Sequence, residues 1–207
     1  MKLLLVAATQ AEINGVFDYF NLPDEPFVQT DSFDVLITGV GMVATAFTMG
    51  KIDSSNYNLV INLGIAGSFD RNIPLGTLVN IEQDIFAELG AEDHDKFIPI
   101  NELGFGEISY TSTFEFANLP IVKAITVNKV HGDQASIDRI VKLFNPQTES
   151  MEGAAVFYAC TQMNIPCLQI RAISNYVEPR NRANWEIGLA VKNLNKWAID
   201  FVKTYTA

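Results

Sequence analysis

The chain has 207 residues, 48% of them hydrophobic and 18% charged, with a formal net charge of -10. That length suits one domain with a full core, and the composition excludes a disordered chain. The acid excess repels phosphate backbones and anionic lipid, so no nucleic acid or membrane partner is expected, and the charge reads first as an aid to solubility.

Residues 1–8 open like a secretory leader, but Thr9, Gln10 and Glu12 follow too soon, so a buried first strand over residues 3–8 is expected. A helix is expected over 10–20, a strand over 34–38, a second helix from 42 to 49 and a strand over 59–63 ending in Gly64-Ile65-Ala66-Gly67. Residues 78–82 and 121–127 are further strands, rich in β-branched side chains. Helices follow over 134–144 and 152–163, with Pro166 at the next boundary and a last clear strand over 167–173. Ile187, Ala190, Val191, Leu194, Ala198 and Phe201 give a closing helix one apolar face. Residues 86–116, with their glycines, acids and aromatics, break the pattern and are expected to form loops or irregular pairing at a rim. This alternation implies a single domain over residues 1–207, an α/β/α sandwich with a mixed, mostly parallel central sheet. Nowhere do about 18 apolar residues run together, so no membrane span is expected. Cys160 and Cys167 lie in or beside apolar segments and read as buried free thiols of a reducing cytoplasm.

Gly39-Val40-Gly41-Met42-Val43-Ala44 fits the dinucleotide fingerprint G-x-G-x-x-G/A after a strand. That use needs an acid at the end of the next strand to hold the ribose hydroxyls, and Ile61-Asn62-Leu63-Gly64 supplies none. A tight strand-to-helix turn accounts for the glycines.

The chemistry concentrates between Glu149 and Arg182. Glu152 opens an otherwise apolar helix. It suits the helix dipole, and it would equally serve as a bidentate acceptor for two neighbouring sugar hydroxyls. Arg171, Ser174 and Asn175 end an apolar strand, where ligands bind in open α/β sheets. Arg171 fits a ligand contact or a plain ion pair. His94 and His131 show no ligand cluster around them and read as exposed or structural, so neither metal nor cofactor is expected.

Met151-Glu152-Gly153-Ala154-Ala155 and Arg171-Ala172-Ile173-Ser174-Asn175 resemble the two signature segments of the purine nucleosidase/phosphorylase superfamily. Their spacing resembles that of the methylthioadenosine/S-adenosylhomocysteine nucleosidases. Asn62-Leu63-Gly64-Ile65-Ala66-Gly67-Ser68 looks like that family's glycine loop, and Gly39-Val40-Gly41 like its earlier turn. The tail from Asn175 to Trp185 is most similar to the futalosine hydrolase branch, which acts in menaquinone biosynthesis.

The resemblance implies a nucleoside phosphorylase-like fold, a homodimer, and hydrolysis of the N-glycosidic bond of futalosine with release of hypoxanthine. The alternatives it implies are another purine nucleoside hydrolase or a 6-oxopurine phosphorylase. Glu152 would grip the ribose, with Met151 against the sugar, and Gly64, Ala66 and Gly67 would belong to the loop that positions water. Glu12 would be the residue that activates water, although Thr9-x-x-Glu12 is also a capping box. Asn175 stands where the adenine-specific relatives have aspartate, and its amide can donate to N7 or to a 6-keto oxygen. Asn62 stands where several phosphorylases have a phosphate-binding arginine, which favours hydrolysis.

Overall fold

The first strand, β1 (Lys2–Ala7), is wholly apolar after Lys2 because both of its faces are covered. Leu3, Leu5 and Ala7 point into one hydrophobic cluster, Leu4 and Val6 into another, as the period of two requires. The structure is a computed structural model describing residues 2–116 and 118–206. After β1 come a 3-10 turn at Gln10–Glu12, α1 (Asn14–Phe20), β2 (Phe27–Gln29), β3 (Phe33–Ile37), α2 (Met42–Met49) and β4 (Tyr57–Ser68). The chain continues through β5 (Leu78–Phe86), β6 (Gly90–Asp93), β7 (Lys96–Pro99), β8 (Ser109–Thr111) and β9 (Ile121–Thr126). It ends with α3 (Gln134–Phe144), β10 (Thr148–Ser150), α4 (Gly153–Met163), β11 (Cys167–Tyr176) and α5 (Ile187–Tyr205).

Nine strands form one mixed sheet in the order β10-β9-β5-β11-β4-β1-β3-β2, with β8 on β5. The central neighbours β1, β3, β4 and β11 are parallel, while β5 meets β11 antiparallel. β10 pairs with β9 and also with the far end of β4, so five of the strands close into a ring. α1 and α5 cover one face, where Ala190, Leu194, Ala198 and Val202 of α5 pack on β1, β4 and β11. α2 and α4 cover the other, with Met49, Val156, Phe157 and Cys160 in its core. α3 packs through Ile140 on Ile125 and Val127. Cys160 and Cys167 are free and buried. Among the described residues no helix is long and apolar enough to cross a membrane.

The α/β architecture agrees with the sequence reading, and three local differences have physical causes. The helix expected over 10–20 is broken at Ile13, because Asn195 of α5 accepts from Val16 N (2.9 Å) and donates to Glu12 O (2.8 Å). The glycine-rich segment after Leu63 is no loop. It continues β4 to Ser68, held by β11 on one side and by β10 at the tip. β10 escapes the periodicity because it has only three residues, none strongly apolar. Residues 86–116 do hold irregular rim pairing, namely the β6–β7 hairpin and β8.

Candidate active site

A cavity of about 400 Å³ opens beyond the carboxyl ends of β1, β4 and β11, with β10 on its wall. Glu12, Ala66, Gly67, Met151, Glu152, Ser174 and Asn175 all line it, although they come from four separate stretches of chain. This is the crevice position favoured for ligands in α/β sheets.

Glu12 is placed by the 3-10 turn. Its Oε2 accepts from Thr9 N and Thr9 Oγ1, each at 3.0 Å, so it reaches back as a capping-box glutamate does. Its Oε1 accepts from Ile65 N at 3.1 Å, which ties the carboxylate to the second half of β4. The cap and a position in the cavity coexist in one side chain.

Glu152 is the N-cap residue of α4 and is buried. Its Oε1 accepts from Gly41 N at 2.8 Å. Gly41 has φ +91°, a conformation that a side chain would strain, and this explains the glycine of the apparent dinucleotide motif. The turn aims a backbone N–H at a carboxylate. Burial raises the proton affinity of Glu152, opposed by the Arg171 guanidinium and by the Gly41 hydrogen bond.

Asn175 follows a register shift in β11, where Ile173 faces Ala66 and Asn175 faces Gly67. This bulge re-aims the strand end toward the cavity. The Ser174 hydroxyl donates to Asn175 Oδ1 (2.8 Å), and Asn175 Nδ2 donates one hydrogen to Tyr176 O (3.1 Å). The second amide hydrogen has no protein acceptor among the described residues.

Two expected substrate-binding residues are set back from the cavity. Arg171 is 1% exposed, and Gly64 lies directly over it. A Cβ on Gly64 would stand 2.0 Å from Arg171 Nη1 and 2.9 Å from Glu12 Oε1, so only glycine lets the guanidinium pass beneath the carboxylate. Among the described residues Arg171 has no ion pair within hydrogen-bonding reach; its Nη2 donates weakly to Gln169 Oε1 (3.4 Å), and its Nε is unpartnered. Asn62 is also buried, and its Nδ2 donates to Gln169 Oε1 at 2.7 Å. Gln169 donates in turn to Asp84 Oδ2 (2.8 Å), Thr126 to Asp84 Oδ1 (2.8 Å), and Ala154 N to Thr126 Oγ1 (2.8 Å). Asn62 therefore belongs to a sealed network under α4. Asn62 does not line the cavity.

The sequence alone did not place His131, Glu149 or Glu178 in the cavity. His131 donates from Nδ1 to Glu149 Oε2 (2.6 Å) and from its main-chain N to Oε1 (3.0 Å), and both residues line the cavity. Glu178 also lines it, but is tied to Arg71 and Asn184, whose hydrogen bonds hold its carboxyl below the usual range. Arg180 lies 5.2 Å from the Trp185 ring centroid, and both line the outer cavity, whereas Arg182 stacks on Trp185 but lines nothing.

A second depression, about 530 Å³, lies between α2 and α4. It is wider but mainly apolar, and it lacks the converging carboxylates of the first. The first cavity is therefore the candidate for chemistry.

Residues 34–206 match the model of the Phosphorylase superfamily. The chain belongs to that superfamily. Within it, the chain is 32% identical to a futalosine hydrolase of Streptomyces coelicolor, over 94% of this chain and 92% of that one. It is 31% identical to a futalosine hydrolase of Acidothermus cellulolyticus, over 94% and 87% of the two chains. Among solved structures, a Helicobacter pylori 5'-methylthioadenosine/S-adenosylhomocysteine nucleosidase superposes with a TM-score of 0.83 at 18% identity, covering 99% of this chain and 98% of that one. At that identity the superposition speaks for the fold alone. The cavity carries an excess of acidic side chains. Glu12, Glu149, Glu152 and Glu178 line it, and among the described residues Arg180 is its sole lysine or arginine.

Proposed function

We propose that this phosphorylase-superfamily protein is an N-glycosidase that hydrolyses futalosine, releasing hypoxanthine and the dehypoxanthine sugar product for menaquinone biosynthesis. The observation that carries the reading is the convergence of Glu12, Glu152 and Asn175 on one cavity, in a chain about a third identical to futalosine hydrolases. Glu152 has one oxygen on Gly41 N and the other left for the ribose hydroxyls, with Met151 beside it. Asn175 has one amide hydrogen to spare for N7 or the 6-keto oxygen of the departing base, where it would stabilise growing negative charge. The bond breaks through an oxocarbenium-like state, and Glu12 takes a proton from the attacking water. Arg171 supports this site from behind, holding positive charge under both glutamates.

Hydrolysis rather than phosphorolysis is favoured by charge. A phosphate dianion near residues 65–67 would sit against the Glu12 carboxylate, and the Arg171 guanidinium, buried behind that wall, does not line the cavity to hold it. Arg180, far along the same cavity on its Trp185 platform, is the natural partner for the carboxylate of futalosine's 5′ extension. Arg180→Ala should weaken futalosine binding while leaving inosine unaffected; equal effects on both would remove it from the site. The overall test is chromatography of bases released from a nucleoside panel, with and without phosphate. Hypoxanthine from futalosine in phosphate-free buffer is expected, and a ribose 1-phosphate product made in proportion to phosphate would refute hydrolysis.

A homodimer is part of the same proposal. Val43, Phe47 and Phe105 are 82%, 69% and 78% exposed around the apolar depression between α2 and α4. Val40 carries that surface to the cavity rim, so a second copy seated there would adjoin the site. Sedimentation equilibrium should give twice the chain mass, and Phe47→Glu should give monomers. The free buried cysteines suit a cytoplasmic setting.

A further inference from the structure

We infer that His131, oriented by Glu149, is the acid that protonates the departing base. The inference rests on the glycosidase reading above and answers a need that reading leaves open. Asn175 can hydrogen-bond to a purine but has no proton to give up, and a purine anion is a poor leaving group.

The geometry supplies a donor in the right part of the cavity. Glu149 is 4% exposed, yet both of its oxygens are turned to one residue, taking the main-chain N–H and the Nδ1–H of His131. A carboxylate can only accept there, so Nδ1 carries hydrogen and the ring is fixed in one orientation. Nε2 has no protein partner among the described residues and is not sealed off from solvent. The dyad also adjoins Asn175. Asn175 Nδ2 and Glu149 Cγ lie 3.2 Å and 3.7 Å from the point where a Cβ on Gly67 would stand. The ring edge is further steadied by Phe69, with centroids 6.3 Å apart. A carboxylate–imidazole pair in this arrangement is the orienting unit of acid–base sites, its carboxylate offsetting the charge of the doubly protonated ring.

The step balances. As the C1′–N9 bond breaks, its electron pair passes to the purine, and N7 takes the proton from His131 Nε2. His131 is left neutral with its Nδ1–H still on Glu149. Water adds its oxygen to C1′ and gives a proton to Glu12, and solvent exchange returns that proton to His131. His131 is thus a catalytic residue and Glu149 a positioning residue.

The test compares leaving groups. A purine needs the proton, while the nitrophenolate of 4-nitrophenyl β-D-ribofuranoside departs without one. His131→Gln should lower turnover of futalosine at least about a hundredfold and of the nitrophenyl riboside less than about threefold. Added imidazole should restore purine release in His131→Gly. Glu149→Gln, close to isosteric, should show the same selectivity with a loss of roughly tenfold, and it serves if the histidine variants melt. Equal losses on both substrates, or purine release within about threefold of the unaltered protein, would reduce the pair to a structural tie and overturn the inference. If the unaltered protein releases no hypoxanthine from futalosine, the substrate reading fails separately. The same ratio is then read on whichever purine nucleoside it cleaves.

Discussion

Two polar clusters lie on either side of the glycine-rich half of β4, and each combines carboxyl and amide side chains with one basic group. The front cluster has Glu12, Glu152, Asn175, His131 and Glu149 around the cavity; the rear has Asn62, Gln169, Asp84, Thr126 and Arg171 beneath α4. They differ in what their atoms have left over. In the rear, Asn62, Gln169, Asp84 and Thr126 spend their donors and acceptors on one another, as buried polar groups must. In the front, Glu152 and His131 each make one protein hydrogen bond through the side chain and Asn175 makes two, yet each keeps a polar atom or hydrogen free. Spare capacity that faces the cavity, which the sealed and unpartnered Arg171 Nε does not, separates the group that can do chemistry from the group that holds it in place.

The comparison breaks most severely if the rear is disturbed at its charge. Arg171→Met would leave Glu152 and Asp84 buried without the cation that opposes their desolvation. Removing one charge from a buried set costs about 3–5 kcal/mol, so urea unfolding should show a loss of that order. A variant of near-normal stability with a raised KM would instead put Arg171 in contact with substrate and move the boundary between the clusters.

Glu12→Gln tests the front with the opposite expectation. The amide keeps acceptor geometry toward Thr9 or Ile65 but cannot take a proton from water. Turnover should fall at least about a hundredfold, with unfolding free energy changed by less than about 1 kcal/mol. Near-normal turnover would leave Glu12 as a cap only.

Those two expectations mark where the sequence was legible. Glu152, Met151, Ser174 and Asn175 sit beside strong apolar patterns, so motif and periodicity locate them at the end of β11 and the start of α4. Arg171 and Asn62 obey the same patterns but point under the strand end rather than past it, and one step along a strand reverses a side chain. Nothing in the sequence of β4 reports that Gly64 is a passage for a guanidinium. His131 and Glu149 are 18 positions apart, and only the parallel pairing of the three-residue β10 with β9 joins them. The Thr9 capping box was legible because all its parts are local. The wide apolar surface of α2 was not, since its exposure depends on what α4 and the rim leave uncovered.

The rear cluster also has a pH signature. Burial pushes the Asp84 carboxyl up to about 6, against the hydrogen bonds of Gln169 and Thr126 and the charge of Arg171. Its folded-state pKa thus exceeds the unfolded value of 3.8, so the folded protein binds the proton more tightly between those values. The stability linked to Asp84 is present at lower pH and is lost as pH rises through about 6. Asp84→Asn should flatten this part of the stability profile by on the order of 2 kcal/mol, with Gln169 turning its amide to match. Urea midpoints from pH 4 to 7 for both proteins check it, and parallel profiles would mean that Asp84 stays ionised.

The smallest expected effect lies at the front, and it tests whether Asn175 chooses the base. In Asn175→Asp the oxygen that replaces Nδ2 would face the Tyr176 carbonyl oxygen, which now accepts from the amide at 3.1 Å. Two acceptors at that separation repel, so the new carboxyl either shifts or holds a proton between itself and Tyr176. In either case the hydrogen that Asn175 keeps free for a 6-keto oxygen or N7 is lost. An ionised carboxylate would also present like partial charge to the keto group of hypoxanthine. Against a 6-amino base the same oxygen can accept from the exocyclic amine, so the substitution should not be equally harmful there. A site that hydrogen-bonds its substrate discriminates by leaving the wrong partner unpaired. The specificity constant for futalosine should therefore fall at least roughly tenfold, about 1.4 kcal/mol, while activity on aminofutalosine rises relative to it. Measuring both substrates across a pH series separates the protonated from the ionised carboxyl. A ratio of specificity constants identical in the two proteins would place Asn175 with the rear cluster, as a side chain whose bonds to Ser174 and Tyr176 are its whole purpose.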